Sequence, residues 1–283
     1  MEIKSLQGTD FDKIFDAFSN AFEDYEVQVN KEEMQTMIHR RGFVQELSFA
    51  AFDHDSVVSF TLNGIGAFNG VSTAYDTGTG TVKEYRGRNL ASAIFDYSIP
   101  YLKAAGIQQY LLEVLQHNTN AVNVYRKIGF EVNRELYYFI RENEEITFKN
   151  HNLAAQYAIR KITFENCCES YSFCDFYPSW QNSFQSIARN SEHFLFFGAF
   201  NTNELIGYCI LEPASGDITQ IAVDTRHRRK GVATMLLVEA LKFNRHDSLK
   251  IVNTDVGCDS ITHFLESVNI PPTGKQFEMI KKL

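Results

Sequence analysis

Two short stretches of the chain combine positive charge with a helix start. KEYRGRNLA (Lys83 to Ala91) sets two arginines around a glycine, and RHRRKGVA (Arg226 to Ala233) sets a basic run before one. In the first, a strand-like run ends at Val82 and Leu90, Ala93, Ile94 and Tyr97 follow at helical spacing. In the second, Val223 lies on the strand side and Val232, Leu236, Ala240 and Phe243 mark the buried helix face. The turn residues sit where unpaired N–H groups and the positive end of the helix dipole meet, and a position without a bulky side chain lets an anion approach. The chemistry is that of a phosphate cradle. One cradle comprises Val82, Arg86, Gly87, Arg88, Asn89, Leu90 and Ala91; the other comprises Val223, Arg228, Arg229, Lys230, Gly231, Val232 and Ala233.

Downstream of the first cradle, HNTNAVNVYRKIGFEV (His117 to Val132) reads as a helix capped by Thr119 or Asn120, with Ala121, Val124 and Ile128 on its buried face and Gly129 as its C′ residue. Downstream of the second, CDSITHFLESVNI (Cys258 to Ile270) reads the same way. Asp259 is its expected cap, Ile261, Phe264, Leu265 and Val268 pack, and Asn269 takes the C′ place. Tyr125 of the first helix meets Leu265 of the second, and a leucine cannot donate a proton. Asp76, Glu113 and Glu84 are the carboxylates placed for a general base or a water-mediated relay, although charges in strands usually face solvent. Gly78 and Gly80 of TAYDTGTGTV suit a bulge or a close backbone approach by a ligand. The acidic run Glu23 to Glu26 is expected to be a solvated helix end.

The elements around these stretches occur twice. IKSL leads into Thr9-x-x-Asp12 and a capped amphipathic helix of Phe11, Ile14, Phe15, Phe18 and Phe22; IRKI leads into Thr163 and a helix bearing Phe164, Cys167, Cys168 and Tyr171. SFAAFDHDSVVSFTL (Ser48 to Leu62) aligns with FFGAFNTNELIGYCI (Phe196 to Ile210), each a strand, an Asp/Asn turn and a second strand. The offset then falls from 148 to 142 residues, implying that the second copy is shorter in the Gly64 to Val71 loop. Both copies continue as helix, strand, helix and final strand (Leu136 to Arg141; Gln276 to Lys282). The expected fold is mixed α/β, two consecutive domains at 1–145 and 146–283, each a mostly antiparallel sheet flanked by helices. The polar stretch Arg141 to Asn152 is the expected linker.

At 283 residues the chain fits two such domains, and a formal net charge of -8 argues against a general nucleic-acid or anionic-membrane binder. The N-terminus lacks a charged region followed by an apolar one, and the longest apolar run, Phe194 to Phe200, is well short of a membrane span, so a cytoplasmic location is expected. Cys167, Cys168 and Cys174 lack paired zinc spacing and read as small core hydrophobes; no metal is expected.

In this order of elements, the cradles resemble motif A of the GCN5-related N-acetyltransferases, Q/R-x-x-G/A-x-G/A, twice and over nearly the whole chain. Arg226-x-x-Arg229-x-Gly231 keeps the second glycine and has arginine at the first. Glu84-x-x-Gly87-x-Asn89 keeps the first, with asparagine at the second and Glu84 where Gln or Arg is usual. The run from Asn118 also resembles the family's N-x-x-A-x-x-x-Y-x-K-x-G-F, with Asn118, Ala121, Tyr125, Lys127, Gly129 and Phe130 all matching. The resemblance implies acetyl-CoA as co-substrate, a primary amine of a small molecule or peptide as acceptor, and direct attack without a covalent enzyme intermediate. It implies Tyr125 as the acid for the departing thiolate, with Asn118 and Glu113 completing the expected catalytic set. The first domain is then the catalytic one, and the second a degenerate or accessory one able to bind CoA. Two alternatives stand beside this: the second half is the active one, or the protein is a non-catalytic CoA-binding sensor. A monomer and a homodimer both fit.

Overall fold

The computed structural model describes residues 1–24, 28–148 and 156–283. The first half of the chain runs β1 (Glu2–Ser5), α1 (Phe11–Ala21), α2 (Lys31–Arg40), β2 (Phe49–Asp53), β3 (Ser56–Phe68), β4 (Val71–Thr81), α3 (Leu90–Ala104), β5 (Gln109–Leu115), α4 (Thr119–Lys127) and β6 (Glu131–Glu142). The second runs β7 (Tyr157–Lys161), α5 (Phe164–Glu169), α6 (Phe184–Arg189), β8 (Leu195–Asn201), β9 (Glu204–Glu212), β10 (Asp217–Val223), α7 (Val232–Leu241), β11 (Ser248–Asp255), α8 (Asp259–Ser267) and β12 (Gly274–Lys282). Tyr25 and Glu26 of the acidic run, and 149–152 of the expected linker, lie outside the described residues.

Two compact units result, and they are not the two sequence halves. The first contains Met1–Asn133 and Phe277–Leu283; the second contains Arg134–Gln276. The first unit's sheet has the order β1-β2-β3-β4-β5-β12, and the second's has β7-β8-β9-β10-β11-β6. Each sheet therefore receives its sixth strand from the other half of the chain. A boundary at 145/146 follows the repeat in the sequence, whereas the units follow the sheets, so 134–145 and 277–283 change sides.

In the first unit β1 through β4 are antiparallel neighbours and β4 runs parallel to β5, the pairing that needs a crossover helix, here α3. α1 lays Ile14, Ala17, Phe18 and Ala21 on the sheet beside Phe60 and Leu62. Its cap is Asp10, which accepts from Asp12 N, rather than Thr9. On the other side Phe95, Leu102, Tyr110, Leu112, Val122 and Phe130 enclose Met279, which is fully buried. Lys281 Nζ donates to Ile128 O at 2.6 Å and Asn133 Nδ2 to Glu278 Oε1 at 2.7 Å, seating β12 in this unit.

The second unit repeats the plan, with β10 parallel to β11 and β6 antiparallel to β11. The expected difference near Gly64 to Val71 is a longer hairpin rather than a longer loop. β3 and β4 have 13 and 11 residues against 9 and 7 in β9 and β10. Asn69 and Gly70, at φ 51 and 75, turn that hairpin tightly. α5 ends at Glu169, so Cys167 is buried but Cys168 is half-buried and Tyr171 exposed, and only part of the expected helix face is core. All five cysteines are free, and burial pushes the Cys167 thiol up to about 12.

Candidate active site

Both cradles have the same backbone. Gly87 and Asn89 lie at φ 77 and 60, and their counterparts Arg229 and Gly231 at φ 60 and 81. Left-handed backbone at two alternate positions turns N–H groups toward one concavity, and each copy uses glycine at only one of them. Asparagine tolerates this conformation; for arginine it costs about 1–2 kcal/mol. Neither Asn89 nor Gly231 caps its helix with a side chain, and helix starts of this kind favour anions. Leu90, Val223 and Val232 are buried.

Arg86 and Arg228, expected in the two cradles, both hold partners elsewhere in the chain. Arg86 donates to Thr81 O at 3.2 Å, to Ala21 O at 2.9 Å and to Asp24 Oδ2 at 3.0 Å. Arg228 donates to Val223 O at 2.9 Å and Phe173 O at 3.3 Å and pairs with Asp175 Oδ1 at 2.7 Å. Each guanidinium ties the end of a central strand to the segment that follows the first helical region. Lys83 also pairs with Asp24, so that part of the acidic run neutralises the cradle's flank instead of standing free in water. Arg226 is held by Asp224 and Glu204, and it keeps the Asp224 carboxyl down at about 2. Arg88 and Lys230 each donate to a carbonyl four residues back, Glu84 O and Arg226 O, at 3.0 Å.

Beyond the cradles the central strands part. β4 and β5 pair only from Thr73–Gln109 to Tyr75–Leu111, and β10 and β11 pair only at Asp217–Lys250. A bulge interrupts β4 at Thr77 and β10 at Thr219, since Leu62 and Asn63 face Gly78 and Asp76, and Leu211 and Ile210 face Ile218 and Gln220. The expected bulge glycines serve packing: a Cβ on Gly80 would lie 2.6 Å from Phe60 Cζ and 2.9 Å from Ala21 Cβ, and Gly78 faces Phe18.

In the first unit the gap holds a tyrosine and a carboxylate. Tyr125 Oη donates to Asp76 Oδ2 at 3.3 Å, and its ring meets Phe95 and Phe130 edge-on. Asp76 also accepts from Gly78 N at 3.0 Å and Thr79 Oγ1 at 2.9 Å. Burial dominates these bonds and raises the Asp76 carboxyl to about 6. Asp76 thus departs from the expectation that strand charges face solvent, because Thr73 to Thr77 are buried without alternation. Glu113, expected in the catalytic set, accepts from Tyr75 Oη at 2.8 Å on the neighbouring strand. Asn118 is the cap of α4, accepting from Ala121 N at 3.2 Å, in place of Thr119 or Asn120. The cap position of α8 is Cys258 rather than Asp259, with no side-chain bond. Gly129 and Asn269 take the C′ positions at φ 92 and 65.

In the second unit the counterparts of Asp76 and Tyr125 are Ile218 and Leu265, both fully buried. The gap there opens into a cavity of about 830 Å³, running from the Arg229–Ala233 cradle along β10 and β11 to Asn253 and α8. Its wall is stitched by polar bonds, Tyr208 Oη to Gln220 Oε1 at 2.8 Å, Gln220 Nε2 to Asn182 O at 2.6 Å and Asn182 Nδ2 to Val252 O at 2.7 Å. Sequence reasoning missed Asn182 and Asp175, which lie in a stretch without periodicity or motif.

Residues 11–130 and 156–261 match the acetyltransferase (GNAT) family, and the chain belongs to that family, with its domain present twice. Among particular relatives, N-alpha-acetyltransferase 30 of Schizosaccharomyces pombe is 30% identical over 93 residues, 32% of this chain; the chain spans 62% of that relative's length. A tandem GNAT protein from the clavulanic acid biosynthesis pathway shares the fold at a TM-score of 0.74 and 12% identity, covering 99% of this chain and 98% of its own. A glucosamine N-acetyltransferase region in a fungal multi-domain GH3 beta-N-acetylglucosaminidase does so at 0.75 and 13%, covering 98% of this chain and 38% of the other. No helix among the described residues is long and apolar enough to cross a membrane.

Proposed function

We propose that the protein is an acyl-CoA-dependent N-acyltransferase acting on a primary amine, with chemistry in the first unit and a second acyl-CoA site in the cavity of the second. The observation that carries the chemistry is the Tyr125 hydroxyl directed at the buried Asp76 carboxylate in the gap between β4 and β5. Transfer by direct attack needs the thioester oriented, its carbonyl polarised, an amine stripped of its proton and the leaving thiolate protonated. The cradle at Gly87 and Asn89 supplies N–H groups for phosphate, and the bulge at Thr77 leaves a residue outside the ladder beside the reacting position. Asp76, titrating near 6, takes a proton at neutral pH, and Tyr125 gives one up. The family's use of acetyl-CoA makes acetyl the expected group.

A second reading places transfer in the second unit and is favoured by its open cavity. Turnover with acetyl-CoA and a panel of amines separates the two. Tyr125→Phe lowers turnover by about 100-fold under the first reading and leaves CoA binding to the second cavity intact. Unchanged turnover in Tyr125→Phe, together with loss in Arg229→Glu, would transfer the chemistry to the second unit.

A further inference from the structure

The sheet ladder does not set the width of the second unit's cleft. After the single pair Asp217–Lys250, β10 leads to the cradle and β11 to α8 with no further pairing between them. Side chains span the rim instead. Asp175 offers Oδ1 to Arg228 NH1 at 2.7 Å on the cradle side and Oδ2 to Ser260 Oγ at 2.6 Å on the first turn of α8. Arg228 is anchored in turn to Val223 O at the end of β10. Asp175, Arg228 and Ser260 all line the cavity.

We propose that Asp175 is a positioning residue, a crossbrace that fixes how far the ends of β10 and β11 stand apart and so shapes the stretch of cleft taking the extended thioester arm of acyl-CoA. The inference rests on the reading that this cavity holds acyl-CoA. Both carboxylate oxygens are used, in short bonds of which one is to a cation, and these are the strong class of hydrogen bond. The phosphate cradle needs none of this, because its N–H groups are aimed by the backbone at Arg229 and Gly231. The first unit is built differently at the same places. Asp24 takes Arg86 and Lys83, Asn120 stands where α8 has Ser260, three ladder pairs join β4 to β5, and the Tyr125–Asp76 bond crosses the gap.

The test uses two probes on the full chain, CoA and 3′-phospho-ADP, which carries the nucleotide and pyrophosphate without the pantetheine arm. Titration calorimetry is run in an Arg88→Glu background, which sets a negative charge on the first cradle so that the second site is read. Asp175→Ala weakens CoA about tenfold and leaves 3′-phospho-ADP within about twofold. Ser260→Ala, at an exposed position, moves CoA in the same direction, and the double variant is no weaker than Asp175→Ala. Equal weakening of both probes, or unaltered CoA affinity in both single variants, overturns the brace while the cavity keeps its ligand. Failure of the Arg88→Glu protein to bind either probe overturns the reading of the cavity, and the brace with it.

Discussion

At Asp76 a carboxylate sits where water cannot stabilise its charge, and burial lifts its titration from 3.8 to about 6. Two consequences have opposite signs. As a base, Asp76 is competent only when ionised, so kcat/KM is expected to rise with pH through about 6 and to lose that limb in Asp76→Asn, along with most activity. A profile unchanged in Asp76→Asn would remove it from the mechanism. For stability, the folded protein holds this proton more tightly than the unfolded chain does. The stabilising contribution is complete below pH 3.8, declines above it and is lost as pH rises through 6. Asp76→Asn is therefore expected to melt higher than the parent at pH 8 and to show no such gain at pH 4. Sequence alone exposed Tyr125, through its spacing from Asn118 to Phe130. It offered Asp76 only as one of three candidate carboxylates and did not show its burial, because strand alternation decides which way a residue faces only where one face meets solvent, and β4 is covered on both.

Between strand and helix, the two cradles solve one backbone problem with different residues. The motif positions are legible because they are local: four residues, a strand before and a helix after. What the arginine side chains do was not, since Ala21 and Phe173, whose carbonyls they hold, are tens of residues away. Arg229 keeps a left-handed conformation that its counterpart Gly87 adopts without cost. Arg229→Gly is expected to stabilise the second unit by about 1 kcal/mol, read as a higher unfolding midpoint in denaturant. A lower midpoint would mean that the Arg229 side chain contributes more than its backbone costs.

Across the whole molecule, the repeat was legible from matching hairpins, cradles and final helices, but the partner of each final strand was not. β6 and β12 present similar apolar patterns after similar helices, and nothing local records which β5-type edge each will join. The units show that residues 277–283 complete the first sheet, with Met279 fully buried among Tyr110, Leu112 and Val122. A fragment of residues 1–145 is accordingly expected to melt without a cooperative transition by circular dichroism, and to regain one when 146–283 is supplied in trans. A sharp transition in 1–145 alone would show that the exchanged strand is dispensable. The exchange also sets a schedule. A ribosome that has released residue 150 has made nearly all of the first unit and none of its sixth strand, so the β5 edge waits, unpaired and apolar, through the synthesis of more than a hundred further residues. The unit begun first is finished only once residues 277–283 are made, and a stop codon placed before them damages the fold built by residues 1–133.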